Sequence, residues 1–277
     1  MNDSVERAIN CIWERYSEPL SLADIAQSAA LSRFHFSRIF KDATGVSPGQ
    51  FLSAVRVYQA KRMLLTTSMN VADISTAVGY NSLGSFTNHF TDSVGISPSR
   101  FRRVPENGGI GSADPPRDPS PPWCVVTGTI SLPDGYASAR VYLGVFDTPI
   151  LQHRPQAAAL LEVTSPQPYP YRLVKVPEGR WFIHAVAAAD SADPEPWTCR
   201  SPLVGGCGPV RVAAGSGTIA AISLRPRSRA DLPVLLALPD LEAPPGGRAC
   251  PRSLSGAGGY PGDERGSSFP APLGGAR

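Results

Sequence analysis

The rhythm of polar and apolar positions changes along this chain. Up to residue 104 apolar residues recur every three to four positions, the spacing of one helix face. Val5, Ile9, Ile12, Trp13 and Tyr16 form one such stripe, behind Asp3 and Glu6 at capping-box spacing. Ser21 and Asp24 open a second, short helix carrying Leu22, Ile25 and Ala26, and Ser32 opens a third that ends at Gly45. Ser47-Pro48 starts a longer fourth helix to about Leu65, and Asn70 with Asp73 begins the cycle again. Continued to residue 104, the pattern predicts seven helices in a compact all-α domain. From Trp123 to about Leu241 the runs become short: CVVTGTISL, SARVYLGVF, YRLVKV, RWFIHAVAAA, PVRVAA, TIAAISLRP and VLLAL, with turns at LPDGY, VPEGR and AAGSG. That spacing predicts an antiparallel β-sandwich. Residues 105–122, PENGGIGSADPPRDPSPP, read as a Pro/Gly linker, and 242–277 as a disordered low-complexity tail. The expected organisation is multidomain, α then β.

Charge sharpens this division. The 277 residues carry a formal charge of only +3, and residues 1–104 hold eleven Lys and Arg against eight Asp and Glu. The basic excess therefore sits in the helical part. The chain opens without the apolar core of a secretion signal and has no run long enough to span a bilayer. Five cysteines without CxxC spacing fit a reduced, cytoplasmic protein, and no membrane partner is expected.

The helical part repeats itself. LADIA is answered 49 residues later by VADIS, and FSRIFKDATGVSP 50 residues later by FTNHFTDSVGISP. One residue is inserted in the AVGYNSLG turn. A helix, a turn and a second helix, used twice and joined by one long helix, make a tandem helix-turn-helix. At about 100° per residue, Phe36, Ile39, Phe40 and Ala43 share one side of the third helix. Arg33, Phe34, Ser37, Arg38 and Lys41 share the other, beginning at Ser32. A face with three cations and an aromatic suits a major groove, although on an isolated helix it would equally describe a solvated surface. In the second copy the matching face is Ser82, Leu83, Gly84, Thr87, Asn88 and Thr91, without a cation. Asn88 stands where the first copy has Arg38. It can read adenine, but the lost charge removes phosphate attraction, so unequal helices are expected, the first dominant. Arg100, Arg102 and Arg103 follow as backbone contacts. His35 points to the flank and His89 to the core.

ADIA, FSRIFKDATGVSPGQF, the VRVYQAKRMLLTT helix and ADISTAVGYNS…GISPSRFRR resemble the DNA-binding domain of AraC/XylS-type bacterial transcription regulators. The resemblance covers about residues 4–104. It implies double-stranded DNA and RNA polymerase as partners, and base contacts around Phe34, Ser37 and Arg38. Family members often keep an Arg at the position of Asn88, and most carry the sensor before the DNA-binding domain; both features differ here.

The opening of the β part and VPEGRWFIHAVAA resemble transthyretin-like or carboxypeptidase-regulatory-like sandwiches, which implies a binding module. A small-molecule effector, a homodimer contact, or an aromatic pocket lined by Trp181, Trp197, Tyr169 and Tyr171 are the roles weighed for it, beside plain core packing. Cys199 and Cys207 could pair or share a metal with His184, against the commoner reading of buried thiols. GxSxG, HExxH and phosphate-cradling Gly loops are absent, so neither enzyme activity nor a cofactor is expected. The alternative to a sequence-specific regulator is a partner-binding or DNA-tethered module with weak specificity.

Overall fold

The computed structural model describes residues 3–103, 124–164, 167–189, 202–213 and 217–238. The expected linker and tail, with Trp197, Cys199 and Cys250, lie outside the described residues. The helices are α1 (Asp3–Arg15), α2 (Leu22–Ser28), α3 (Arg33–Thr44), α4 (Pro48–Thr66), α5 (Val71–Ala77), α6 (Leu83–Val94) and α7 (Pro98–Arg102). The strands are β1 (Cys124–Ser131), β2 (Ala139–Phe146), β3 (Ala157–Val163), β4 (Tyr169–Val176), β5 (Gly179–Ala189), β6 (Leu203–Val212), β7 (Thr218–Ser223) and β8 (Arg225–Pro226).

Local chemistry sets the helix boundaries. Ser21 with Asp24, and Ser47 with Gln50, satisfy each other's backbone N–H groups reciprocally. The Asn70 side chain accepts the Asp73 N–H at 2.8 Å. Gly45 and Gly95 end α3 and α6 in the left-handed conformation, φ 80° and 91°. At the start of the chain Asp3 lies inside α1 and pairs with Arg7, in place of the expected box with Glu6.

The core duplicates with the sequence. Phe36, Phe40 and Phe51 form a chain of rings with centroids 5.3 and 5.6 Å apart; Phe86, Phe90 and Phe101 repeat it at 5.6 and 5.8 Å. Both halves pack on α4, which explains why Phe51, Leu52, Val55, Val57 and Leu64 are buried around much of its circumference. Ala43, expected on the buried side of α3, is exposed. Gly79 takes a left-handed turn, φ 85°, as Ala30 does at the equivalent place in the first copy, φ 56°. A Cβ on Gly79 would lie 2.8 Å from the Ser17 carbonyl oxygen, so the α1–α2 corner admits only glycine.

The β region forms two sheets, ordered β4-β1-β7 and β3-β2-β5-β6-β8. Val126, Ile130 and Leu173 from one and Val141, Leu143 and Ile183 from the other belong to one buried cluster. The pairing is antiparallel except that β1 and β7 run parallel, from Val126↔Thr218 to Ser131↔Ser223, a departure from the wholly antiparallel expectation. AAALLEV forms the edge strand β3, which its alanines concealed. VLLAL forms no strand: Leu235 is 1% exposed and joins Ile150 in the hydrophobic cluster of the helical region. Leu236 and Leu238 pack instead with Phe146, Leu151 and Val186, so the run divides its apolar side chains between the helices and the β region. Helical and β regions accordingly belong to one compact unit.

Candidate nucleic-acid interface

The two repeats bury the same residue types and present different ones. On α3, Phe36 and Phe40 are completely buried, while Arg33, Phe34, His35, Arg38 and Lys41 are exposed. Phe34 is 89% exposed. An aromatic ring so far from any protein contact forgoes roughly 25 cal/mol for each Å² it leaves in water. Ser32 starts α3 without a side-chain capping bond. Ser37 is half-buried and its hydroxyl donates to the Arg33 carbonyl at 2.9 Å. The outward surface is therefore two guanidiniums, an ammonium and an aromatic ring.

On α6, Phe86 and Phe90 fill the equivalent core positions. Leu83, Gly84 and Asn88 are exposed, and Thr87 and Thr91 half-buried. The Ser82 hydroxyl accepts the Ser85 N–H at 3.2 Å and so serves as the helix cap. The Thr91 hydroxyl donates to the Thr87 carbonyl at 2.7 Å. Space around Gly84 is open to 4 Å. This surface is neutral and smaller, with Asn88 as its main hydrogen-bonding side chain.

Behind α6 lies a half-buried polar cluster. The Tyr80 hydroxyl meets His89 Nδ1 at 2.7 Å, and the Arg56 guanidinium sits 5.9 Å from the Tyr80 ring centre. Arg56 Nε donates to the Tyr16 carbonyl at 2.8 Å and its Nη2 to the Glu18 carbonyl at 2.7 Å, fastening α4 to the α1–α2 corner. Burial pushes the Tyr80 phenol up to about 12, with Arg56 opposing. Burial holds His89 below the ordinary imidazole value; Asp92 opposes this and His153 adds to it. His89 is thus a half-buried residue held against Tyr80, on the core side as its position in the helix predicts.

The terminal arginines separate into two environments. Arg100 and Arg103 are exposed. Arg102 turns inward: its Nε donates to the Leu64 carbonyl at 3.3 Å, and its Nη2 donates to the Met69 carbonyl. It staples α7 to the end of α4, in a place the sequence pattern assigned to the DNA backbone.

Two side chains that sequence reasoning passed over are Lys61, 5% exposed on α4, and His153, between β2 and β3. Neither carried a signal in the sequence, since Lys61 shares α4 with Arg56 and Arg62. In the β region Tyr171 is buried with its hydroxyl donating to the Ala220 carbonyl at 2.7 Å, and Trp181 Nε1 donates to the Pro177 carbonyl at 2.8 Å. Both pack on the core together with Tyr169. Cys207 is a free thiol, pushed up by burial, and His184 Nε2 meets the Thr148 carbonyl at 3.3 Å. Among the described residues no three His, Cys, Asp or Glu side chains come together as a metal site, and no helix is long and apolar enough to cross a membrane.

A duplicated helix-turn-helix with one charged and one neutral outward helix defines the class of this region. Residues 25–104 match a family model described as a helix-turn-helix domain. The lactose operon transcription activator of Staphylococcus xylosus is 33% identical over 102 residues, 37% of each chain. The transcriptional activator AarP of Providencia stuartii is 36% identical over 83 residues, 30% of this chain and 62% of that one. The right origin-binding protein of Escherichia coli is 33% identical over 100 residues, 36% of this chain and 35% of that one. The matches span between about a third and under two thirds of these relatives' lengths. Among solved structures, the DNA-binding domain of AdpA in complex with a target DNA is 30% identical, with a TM-score of 0.37, covering 39% of this chain and 100% of that one. Residues 25–104 thus form a helix-turn-helix domain similar in sequence to those of transcription activators.

Proposed function

We propose that the protein is a sequence-specific, DNA-binding transcription regulator that places α3 and α6 in successive major grooves on one face of the duplex, about 34 Å apart. The observation carrying this reading is the exposed face of Arg33, Phe34, Arg38 and Lys41 on a helix that buries Phe36 and Phe40. Arg33 and Arg38 can each address a guanine edge or a phosphate, Phe34 a thymine methyl or sugar, and Lys41 a phosphate. Asn88 and Leu83 on α6 add a neutral reading surface of lower affinity. Exposed Arg103 contributes to the DNA backbone, and Arg102 does so only by leaving its two carbonyls. The relatives named as transcription activators support this role, and with it RNA polymerase as a partner and a cytoplasmic location. The β region is read as a regulatory module without catalytic function, responsive to a small molecule or to a second copy of the chain.

Selection from random duplexes with the purified full chain tests the proposal. An enriched motif with two parts one helical turn apart is the expected outcome. Uniform weak retention of all sequences would instead favour a partner-binding module that no longer reads bases.

A further inference from the structure

The C-terminal ends of α3 and α6 are treated differently by the β region. An α-helix leaves its last four carbonyls without partners in the helix. In α6 the first of these, Thr91, takes the Gly95 N–H at 2.8 Å. The other three are met from the β region: the Asp92 carbonyl by His153 Nδ1 at 2.8 Å, the Ser93 carbonyl by the His153 N–H at 3.0 Å, and the Val94 carbonyl by the Ala237 N–H at 3.2 Å. Ser93 and Val94 are each 1% exposed. In α3 the equivalent Ala43 is exposed and Thr44 half-buried, and Pro149 lies 3.5 Å from where a Cβ on Gly45 would stand.

The segments that reach α6 are themselves fixed. Lys61 on α4 donates to the Leu236 carbonyl at 2.9 Å and the Val234 carbonyl at 3.3 Å, its ammonium 5.3 Å from the Phe101 ring centre. The Leu235 and Leu236 N–H groups donate to the Leu151 carbonyl at 2.9 and 3.1 Å, tying segment 234–238 to the loop that carries His153. Ile150 and Leu235 fill the helical core. His153 holds a left-handed φ of 60°, a conformation costly for a residue with a Cβ. That cost persists only because the surrounding contacts fix the turn.

We propose that the β region is a brace for the second recognition helix: His153 and Ala237 cap α6 from outside the helical repeat, Lys61 holds the cap in place, and the reading of DNA by α6 depends on this brace while that by α3 does not. The physical reason is the difference in charge. With three cations, α3 is drawn to phosphate by a long-range term. The neutral α6 gains only from short, directional contacts, which need a helix already fixed in position. Lys61, His153 and Ala237 are thus positioning residues. The inference rests on the DNA-binding role above, and its test separates the two.

The test is a double-mutant cycle in the full chain on a duplex selected by the wild-type protein. Asn88→Ala and Arg38→Ala are each measured alone, in Lys61→Met, and in His153→Gly, which relieves the left-handed turn and retains the backbone N–H. Asn88→Ala is expected to weaken binding about fivefold in the wild type, in the range of one base contact, and less than about twofold in either brace variant. Arg38→Ala should cost the same in all three backgrounds. Equal costs of Asn88→Ala in wild-type and brace backgrounds would overturn the brace. So would an Asn88→Ala that costs nothing while Arg38→Ala weakens binding. Hydrogen exchange of α6 without DNA reads the brace independently and guards against a Lys61→Met chain that does not fold. Faster exchange confined to the end of α6 in His153→Gly is expected, and unchanged exchange there would overturn the brace. Absence of any selected motif would remove the DNA-binding reading and leave the exchange result to decide the brace.

Discussion

Phe34 separates function from folding at the scale of single residues. Its ring is 89% exposed, so Phe34→Ala should leave the unfolding free energy within about 0.5 kcal/mol of wild type while weakening binding to a selected duplex. A fall in the thermal midpoint with affinity intact would assign the ring to the fold. Lys41 makes the complementary electrostatic prediction. Removing one phosphate contact should make the slope of log affinity against log salt shallower by about 0.9, as read by titrations at several salt concentrations. Arg102 behaves in the opposite way, because its guanidinium is occupied by the Leu64 and Met69 carbonyls. Arg102→Ala should lower stability by about 1.5 kcal/mol or more and leave the salt slope unchanged; a shallower slope with stability intact would return Arg102 to the DNA backbone.

At the scale of elements, the two glycines in the turn and at the start of the second helix of the second helix-turn-helix should respond with opposite signs. Gly79 combines a φ of 85° with a carbonyl oxygen 2.8 Å from its missing Cβ, so Gly79→Ala should destabilise by more than about 1 kcal/mol. Gly84 lies in the first turn of α6 with open space around it, so Gly84→Ala should stabilise by up to about 1 kcal/mol. Denaturant unfolding of both variants checks the pair. The same elements show what was legible in the sequence. Capping pairs, the paired Gly45 and Gly95 stops and the phenylalanine spacing are local signals, and they gave all of the seven helices described. The basic face of α3 was legible for the same reason, since burial of Phe36 and Phe40 dictates which residues point away. The turn of Arg102 toward carbonyls on α4 and beyond was not, because those acceptors lie 38 and 33 residues away. Likewise an apolar run such as VLLAL suits a strand or an irregular segment shared between two cores, and only tertiary structure decides between them. Strand β3 was missed because alanine has little preference for strands.

For the molecule as a whole, pH acts through half-buried histidines in both regions. Burial holds His89 and His184 below the ordinary imidazole value; for His184 the Thr148 carbonyl opposes it. An unfolded chain therefore takes up protons on these rings at a higher pH than the folded one does. Their neutral packing is fully compatible with the fold above the ordinary value near ~6.5, and stability falls as pH drops below it, until the lower folded values are passed. Thermal unfolding at a series of pH values should show this loss, and His89→Gln should make it smaller; a midpoint indifferent to pH across that window would contradict it. Across the whole molecule, a charged and a neutral recognition helix are proposed to act together with unequal weight, and this inequality is measurable. It is tested most directly by comparing Arg38→Ala and Asn88→Ala on one selected duplex over a range of salt. The expected result is the larger affinity loss for Arg38→Ala, about 1–3 kcal/mol, with a shallower salt slope, and a smaller, salt-independent loss for Asn88→Ala. An Asn88→Ala variant that loses more affinity than Arg38→Ala would contradict the account.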